Sequence, residues 1–275
     1  MKILILGAKG SLGEAFLDLY KDQEVVGWGK FDLDITDEEV VSKKIAELKP
    51  GLVINCAAYN AVDKAEEERE LAESVNGYAP GYLAKAASEV GAVFVHFSTH
   101  YVFDGTNQEG YNEDDLPNAR SIYGKSKILG ENEVQGKTDK FYIIRTAWLY
   151  GKPGSHGKTS FVAMMLKKAD EGKAIEAIKD EFAQPTYCLD LAQSTRALLE
   201  EKKPFGIYHL TNAGQTSWYQ WANEIFQIKN VKVTLTAISR DKFPRKAARP
   251  QYGVLNNNKF IQLRPWTEAL KEYLG

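Results

Sequence analysis

Met1-Lys-Ile-Leu-Ile-Leu6-Gly7-Ala-Lys-Gly10-Ser-Leu-Gly13 decides how the rest of the chain is read. Its opening apolar run shows no polar alternation, which predicts a strand buried on both faces, as in a parallel sheet. The run breaks into a glycine turn, and Glu14-Ala-Phe-Leu-Asp-Leu-Tyr20 then carries a helical pattern. Strand, glycine turn and helix in that order is the context a dinucleotide fingerprint requires. Gly7 would permit the tight turn, Gly10 the approach of backbone to a pyrophosphate, and Gly13 the close packing of helix on strand. Ser11 and Leu12 fall at the helix N-terminus, which would face the phosphates. The spacing is G-x-x-G-x-x-G rather than G-x-G-x-x-G, so an ordinary glycine-containing turn competes with this reading.

The next strand is Glu24-Val-Val-Gly-Trp28. NAD-preferring sites commonly place an acid at the end of this strand, on the ribose hydroxyls. Here Gly29 and Lys30 follow instead. Lys9 and Lys30 could both face a 2′-phosphate, which favours NADPH, with NADH as a second cofactor.

Strands and helices go on alternating. A helix ends near Pro50, Gly51 to Cys56 is a strand, and Ala57-Ala58-Tyr59-Asn60 a small-residue loop after it. Leu71 to Val90 reads as one long helix and Gly91 to Ser98 as a strand followed by Thr99-His100-Tyr101. Lys140 to Thr146 is another strand. This order predicts an α/β fold with a doubly wound parallel Rossmann sheet. Ligands of such sheets bind beyond the strand C-terminal ends, where the Gly7 turn, the Ala57 loop, Thr99 and the loop after Arg145 all fall.

Into the same region comes Ser121-Ile-Tyr123-Gly-Lys125-Ser-Lys127. Tyr123 and Lys127 are about one helical turn apart and share a face. A free phenol titrates near ~10, and a neighbouring ammonium would bring it closer to neutrality. Tyr123 could then pass a proton to a carbonyl while a hydride moves. The pair alone is common on solvated helix faces; its company gives it weight.

Composition narrows the class. The chain has 275 residues with a net charge of −2, so nothing points to nucleic acid or an anionic membrane surface. No apolar run approaches the ~20 residues of a membrane span. The start of the chain lacks a signal-peptide pattern, since its apolar run is short and opens directly into the glycine turn. Cys56 and Cys188 read as buried thiols rather than a disulfide or metal site, and the four histidines show no ligand spacing. A reducing cytoplasm is the expected setting.

The chain resembles the extended short-chain dehydrogenase/reductases and, within them, the dTDP-4-dehydrorhamnose reductase family. The resemblance runs through nearly the whole chain. It is carried by Gly7 to Gly13, Cys56-Ala-Ala-Tyr-Asn-Ala-Val-Asp-Lys-Ala-Glu66, Ser98-Thr-His-Tyr-Val-Phe-Asp-Gly105, Tyr123 to Lys127 with Gly130-Glu131, Arg145-Thr-Ala-Trp-Leu-Tyr-Gly151, Gln184-Pro-Thr-Tyr187 and Arg249-Pro-Gln-Tyr252. It implies NADPH-dependent reduction of the 4-keto group of a nucleotide-activated deoxysugar. Tyr123 would donate the proton, Lys127 would hold the nicotinamide ribose and lower the Tyr123 pKa, and Thr99 would bond the reacting oxygen. Trp148 would pack on the sugar, with Val62 and Tyr101 lining its pocket. Asp34 and Ile35 would meet the adenine, and Ala57, Ala58 and Tyr59 the ribose and pyrophosphate. Each has a plainer competitor: Trp148 as core, Thr99 as a strand-end cap, Asp34 as the cap of a helix starting near Thr36.

Departures fall in the substrate half. His100 stands where the family usually has aspartate, which puts a titratable imidazole near the reaction centre. Asn256 replaces another usual aspartate, and Ser160 a frequent asparagine. No metal ligands can be matched, so no metal is expected. Arg245 and Arg249 could clamp a diphosphate, a task suited to guanidinium, with an ordinary surface arginine as the plainer competitor for each. The expected division is residues 1–150 plus about 178–204 for the dinucleotide-binding part, and about 151–177 plus 205–275 for a smaller mixed α/β substrate lobe, with a boundary at Gly151 to Gly157. The partner is a nucleotide sugar, and the expected state a monomer or weak homodimer. Two other readings stay open: a non-catalytic NADP-binding regulatory subunit of the same fold, such as that of methionine adenosyltransferase, and a reductase or epimerase of a different nucleotide sugar.

Overall fold

The computed structural model describes residues 1–155 and 159–275. Its first half alternates β1 (Ile3–Leu6), α1 (Ser11–Leu19), β2 (Val25–Trp28), α2 (Glu38–Leu48), β3 (Leu52–Asn55), α3 (Arg69–Glu73), α4 (Ala79–Glu89), β4 (Val93–Thr99), α5 (Ile122–Gln135) and β5 (Phe141–Thr146). There follow β6 (Leu149–Tyr150), α6 (Phe161–Asp170), β7 (Ile175–Ile178), β8 (Phe182–Ala183), β9 (Thr186–Tyr187), α7 (Cys188–Glu200) and β10 (Gly206–His209). The chain closes with β11 (Asn212–Ala213), β12 (Thr216–Ser217), α8 (Trp218–Ile228), β13 (Leu235–Ile238), β14 (Leu263–Pro265) and α9 (Trp266–Leu274).

Six strands form a parallel sheet in the order β2-β1-β3-β4-β5-β10. β1 explains why helices must cover both faces. Ile3 and Ile5 pack with Phe16 of α1 and Leu191 and Leu198 of α7, while Leu4 and Leu6 pack with Val41 and Ile45 of α2 and Leu83 of α4. Burying each such side chain is worth roughly 1.5–3 kcal/mol, so neither face can be left to water. The strand order reverses between β1 and β3, and the mouth of the crevice opens there.

Three differences from the sequence reading have clear causes, and one expectation reaches outside the described residues. The helix expected over 71–90 is α3 and α4 joined by a π turn, Ser74–Tyr78. That extra residue per turn aims buried Asn76 at the Tyr59 backbone, with Tyr59 N donating to its Oδ1 at 2.8 Å and its Nδ2 donating to Tyr59 O at 2.9 Å. Secondly, the cap of α2 is Asp37, which accepts from Val40 N at 3.0 Å; Asp34 instead accepts from Thr36 N and Oγ1 at 3.0 and 2.7 Å. Thirdly, the strand at Gly206–His209 pairs with β5 in the main sheet, so the sheet reaches past the boundary expected at residue 205. Lastly, the boundary expected over Gly151 to Gly157 runs into residues 156–158, which lie outside the described residues.

Beyond the sheet, the remaining elements gather around an aromatic core of Tyr150, Tyr187, Trp221 and Phe226. Ser217 starts α8 with a reciprocal capping box to Gln220. No helix among the described residues is long and apolar enough to cross a membrane.

Candidate functional site

The crevice at the strand C-terminal ends encloses about 900 Å³. Its cofactor-side lining includes Gly7, Lys9, Gly10, Ser11, Leu12, Gly13, Lys30, Asp34, Ile35, Ala57, Ala58 and Tyr59. Val62, Thr99, His100, Tyr101, Tyr123, Lys127 and Trp148 also line it. The site residues expected from the sequence are therefore brought to one cavity, except Arg245 and Arg249.

At one end the backbone makes the site. Gly7 has φ +68°, and a Cβ there would stand 2.6 Å from Ala57 N. A Cβ on Gly13 would meet Gly7 O at 2.3 Å, so α1 and the turn touch through bare backbone. A Cβ on Gly10 would meet no protein atom closer than 3.4 Å. Its side of the turn is open to a ligand, and no side chain caps α1 there. The free amides of the first helical turn fit an anionic pyrophosphate. Lys9 lies along Gly29, with its Cδ 3.3 Å from where a Cβ would sit. The first acid after β2, Asp32, is already engaged: its Oδ2 accepts from Gly29 N at 2.8 Å.

The reacting pair sits at the start of α5. Ser121 caps the helix, accepting from Gly124 N at 3.1 Å, and Ile122 N donates to Glu66 Oε1 at 2.9 Å. Further along, buried Glu131 receives Arg145 Nε and Nη2 at 3.0 and 2.7 Å and the Ser98 hydroxyl, which pins the helix to β4 and β5. Tyr123 is 8% exposed, its ring meets the edge of Tyr101 at 5.3 Å, and its hydroxyl lies 3.5 Å from Asn60 Oδ1. Burial raises the Tyr123 pKa, Tyr101 adds to the rise, and the Thr99 hydroxyl lowers it. Thr99 also caps the turn at His100–Val102, accepting from Tyr101 N at 3.2 Å, so both roles considered for it coexist.

Lys127 follows one turn along α5 and lines the crevice. Its amino group turns inward, donating to Phe97 O at 2.6 Å and standing 3.3 Å from His96 Nε2. Burial lowers its pKa to about 8, with Glu131 pulling the other way.

The opposite wall is aromatic. Trp148 has φ +42°, a left-handed conformation costly for a bulky residue, at roughly 1–3 kcal/mol. It is held there by stacking on Trp218 at 3.7 Å, with Trp221 parallel behind at 5.8 Å. Trp148 is thus both half-buried core and crevice wall, and Trp218 shares that wall.

Both arginines and His100 are held by contacts within the protein. Arg249 Nη2 donates to Asp63 Oδ2 at 2.7 Å and the guanidinium lies over the Tyr101 ring, outside the crevice lining. Arg245 grips buried Glu181 with both Nη atoms, which removes it from any diphosphate clamp. His100 is buried, its ring against Gly253 and the edge of Tyr101. Burial first, and Arg249 after it, lowers its pKa to about 4. The ring therefore stays neutral through the range where a free imidazole titrates.

Asn60, Asn76, Asn55 and His96 were given no role from the sequence. A histidine inside the apolar run Gly91 to Ser98 was the available signal for the last. Cys56 and Cys188, far apart in sequence, are both free and both border the crevice.

A glycine turn built for a dinucleotide and a Tyr-x-x-x-Lys pair, meeting at the switch point of one parallel sheet, define an extended short-chain dehydrogenase/reductase. The family model described as the RmlD substrate binding domain matches residues 1–275, and the chain belongs to that family. It is 39% identical over 282 residues to the dTDP-4-dehydrorhamnose reductase of Streptomyces griseus, covering 98% of this chain and 91% of that one. Among solved structures, a dTDP-4-dehydrorhamnose reductase of Clostridium acetobutylicum superposes with a TM-score of 0.95 at 42% identity, over 100% and 98% of the two chains. The Bacillus anthracis enzyme in complex with NADP gives a TM-score of 0.95 at 36% identity, over 99% of each chain.

Proposed function

We propose that this chain is an NADPH-dependent reductase of the 4-keto group of a dTDP-activated deoxysugar, converting dTDP-4-dehydro-L-rhamnose to dTDP-L-rhamnose. The observation that carries this reading is the meeting of the glycine turn, Thr99, Tyr123 and Lys127 in one crevice walled by Trp148. Bound at the Gly7–Gly13 turn, NADPH would supply the hydride. Tyr123 gives its proton to the 4-keto oxygen as the carbonyl carbon is reduced, and general acid catalysis of this kind is worth ~100- to 10,000-fold. Thr99 stands beside the phenol and stabilises the phenolate left behind. Lys127 holds the ribose, and Ala57, Ala58 and Tyr59 cover the rest of the cofactor. Val62, Tyr101 and Trp148 close on the sugar, with the smaller lobe as the substrate-binding half.

The named substrate of several relatives and the NADP-bound neighbour support this reading. Lys9 and Lys30 on the crevice wall support NADPH over NADH. Two free cysteines agree with a reducing, cytoplasmic setting. We propose a monomer or weak homodimer, to be read by light scattering.

The test is loss of NADPH absorbance with a panel of 4-keto nucleotide sugars. Turnover of the dTDP-4-dehydrorhamnose member is expected, with NADPH bound at least as tightly as NADH. Cofactor binding without turnover of any member would instead establish the regulatory-subunit reading. A tenfold preference for NADH, ~1.4 kcal/mol, would overturn the cofactor assignment.

A further inference from the structure

Three buried polar side chains form a line running inward from the crevice wall: Lys127 on α5, His96 within β4 and Asn55 at the end of β3. They are 2%, 0% and 1% exposed. Asn55 Nδ2 stands 3.2 Å from His96 Nδ1, and His96 Nε2 3.3 Å from Lys127 Nζ, which donates to Phe97 O. Each link needs one donor and one acceptor, and one end of the line is fixed. Asn55 Oδ1 accepts the backbone N–H of Ala57 at 3.0 Å. A backbone N–H cannot reverse, so the amide is oriented and its NH2 faces His96. His96 Nδ1 is then the acceptor and the ring proton sits on Nε2. That proton points at Lys127 Nζ, which can accept it only as a neutral amine; an ammonium would set N–H against N–H.

The opposite arrangement closes too, at a cost. A Lys127 ammonium donates to Nε2, the ring proton moves to Nδ1, and the Asn55 amide turns its oxygen to His96. Ala57 N–H then faces an NH2 group and loses its partner, and a buried unpaired donor is expensive. We infer that Asn55 and His96 are positioning residues that tie the charge of Lys127 to the tautomer of His96 and, through the Asn55 amide, to the Ala57 N–H of the cofactor loop. Loop and lysine are thereby coupled: the loop held on Asn55 favours the neutral amine, and a charged Lys127 releases Ala57.

The other groups facing Lys127 leave this switch free to work. Glu131, one turn along α5, favours the cation but is already paired with Arg145 of β5. Tyr123, one turn back, is a neutral phenol with a raised pKa. His96 does not take the charge itself, since burial and then Lys127 push its pKa well down. Both states of Lys127, whose pKa is lowered to about 8, are within reach of ordinary conditions. The inference takes its interest from the proposed role of Lys127 in the reaction, but its test needs neither cofactor nor substrate.

The test is nitrogen NMR of the His96 ring and the Lys127 Nζ in cofactor-free full-length protein, titrated from about pH 6 to 10. The expected result is transfer of the ring proton from Nδ1 to Nε2 at the same midpoint at which Lys127 loses its charge, with no imidazolium in between. A tautomer that stays unchanged while Lys127 titrates would overturn the inference. Asn55→Asp supplies a second arm. Its carboxylate can accept from Ala57 N–H and His96 Nδ1–H together, so the ring should stay in the Nδ1–H form at every pH and the Lys127 midpoint should rise by about one pH unit or more. An Nε2–H ring at high pH in that variant, or an unmoved Lys127 midpoint, counts against it. Failure of this experiment leaves the reductase reading intact, and absence of turnover leaves the tautomer result intact.

Discussion

The two ends of the crevice are built by different means. At the cofactor end, main chain presses on main chain: Gly7 against Ala57, Gly13 against Gly7, and the open first turn of α1 between them. At the sugar end the wall is side chain on side chain, with Trp148 held in a left-handed conformation by Trp218, and Tyr101 backed by Arg249. A site made of backbone tolerates almost no added atom but is indifferent to most side chains. A site made of stacked rings depends on the neighbours that hold each ring in place.

The largest effect is expected at the seam between the ends. Tyr123→Phe should cut kcat by ~100- to 10,000-fold while leaving NADPH binding within about threefold, because the phenol acts only in the chemical step. Single-turnover kinetics beside cofactor titration separate the two. Near wild-type kcat would remove Tyr123 from the reaction.

Next comes a pair of glycine variants that breaks the comparison if the cofactor end is not made of backbone contact. Gly13→Ala drives a Cβ to 2.3 Å from Gly7 O, where no flexible side chain can give way. It should cost ~1–3 kcal/mol of unfolding free energy and weaken NADPH binding. Gly10→Ala meets only ordinary contact within the protein. It should leave the denaturation midpoint almost unchanged and still weaken NADPH by tenfold or more. Equal loss of stability in both variants would show that Gly10 serves the fold rather than the ligand.

A smaller effect probes the sugar end. Trp218→Leu removes the ring beneath Trp148, an aromatic pair worth ~0.5–1.5 kcal/mol beyond its burial. KM for the sugar nucleotide should rise by roughly tenfold, with kcat and NADPH affinity little changed. A fall in kcat with KM unchanged would mean that the stack serves the chemical step instead.

The same contrast explains what could be read without coordinates. The glycine turn, the alternation of β1 to β5 and the Tyr123–Lys127 spacing are local patterns, and a local pattern constrains a local backbone. That was enough for the parallel sheet and for the convergence of its loops. The pairing of Arg249 with Asp63, of Arg245 with Glu181 and of Trp218 with Trp148 joins residues far apart in sequence. Nothing in a one-dimensional pattern distinguishes an arginine spent on a buried carboxylate from one left for a phosphate. Lys127 is the instructive case: helical spacing brought it to Tyr123's face, but the Phe97 carbonyl and His96, contributed by β4, decide where its ammonium points.

The smallest effect is expected at His100, and here a null outcome is informative. The sequence puts a titratable imidazole beside Thr99, and such a ring facing the crevice would give an inflection in the pH profile of kcat/KM between about pH 5.5 and 7.5. Burial against Gly253 and Tyr101 removes that expectation, because a ring whose pKa is lowered to about 4 is neutral throughout the window. Its titration belongs to stability instead. An unfolded chain takes up a proton at this histidine near pH ~6.5, and the folded one does so only near 4. Between those values the unfolded state binds more protons, so stability is fully present above about pH 6.5 and falls as pH drops towards 4. His100→Asn should therefore superimpose on the wild type in its kcat/KM profile from about pH 5.5 to 7.5, yet lose less unfolding free energy between pH 6.5 and 4.5. Denaturant melts at those two pH values measure the second part. An inflection near pH 6.5 that disappears in the variant would mean that the ring turns into the crevice when substrate binds, and the sugar end would then hold a titrating group after all.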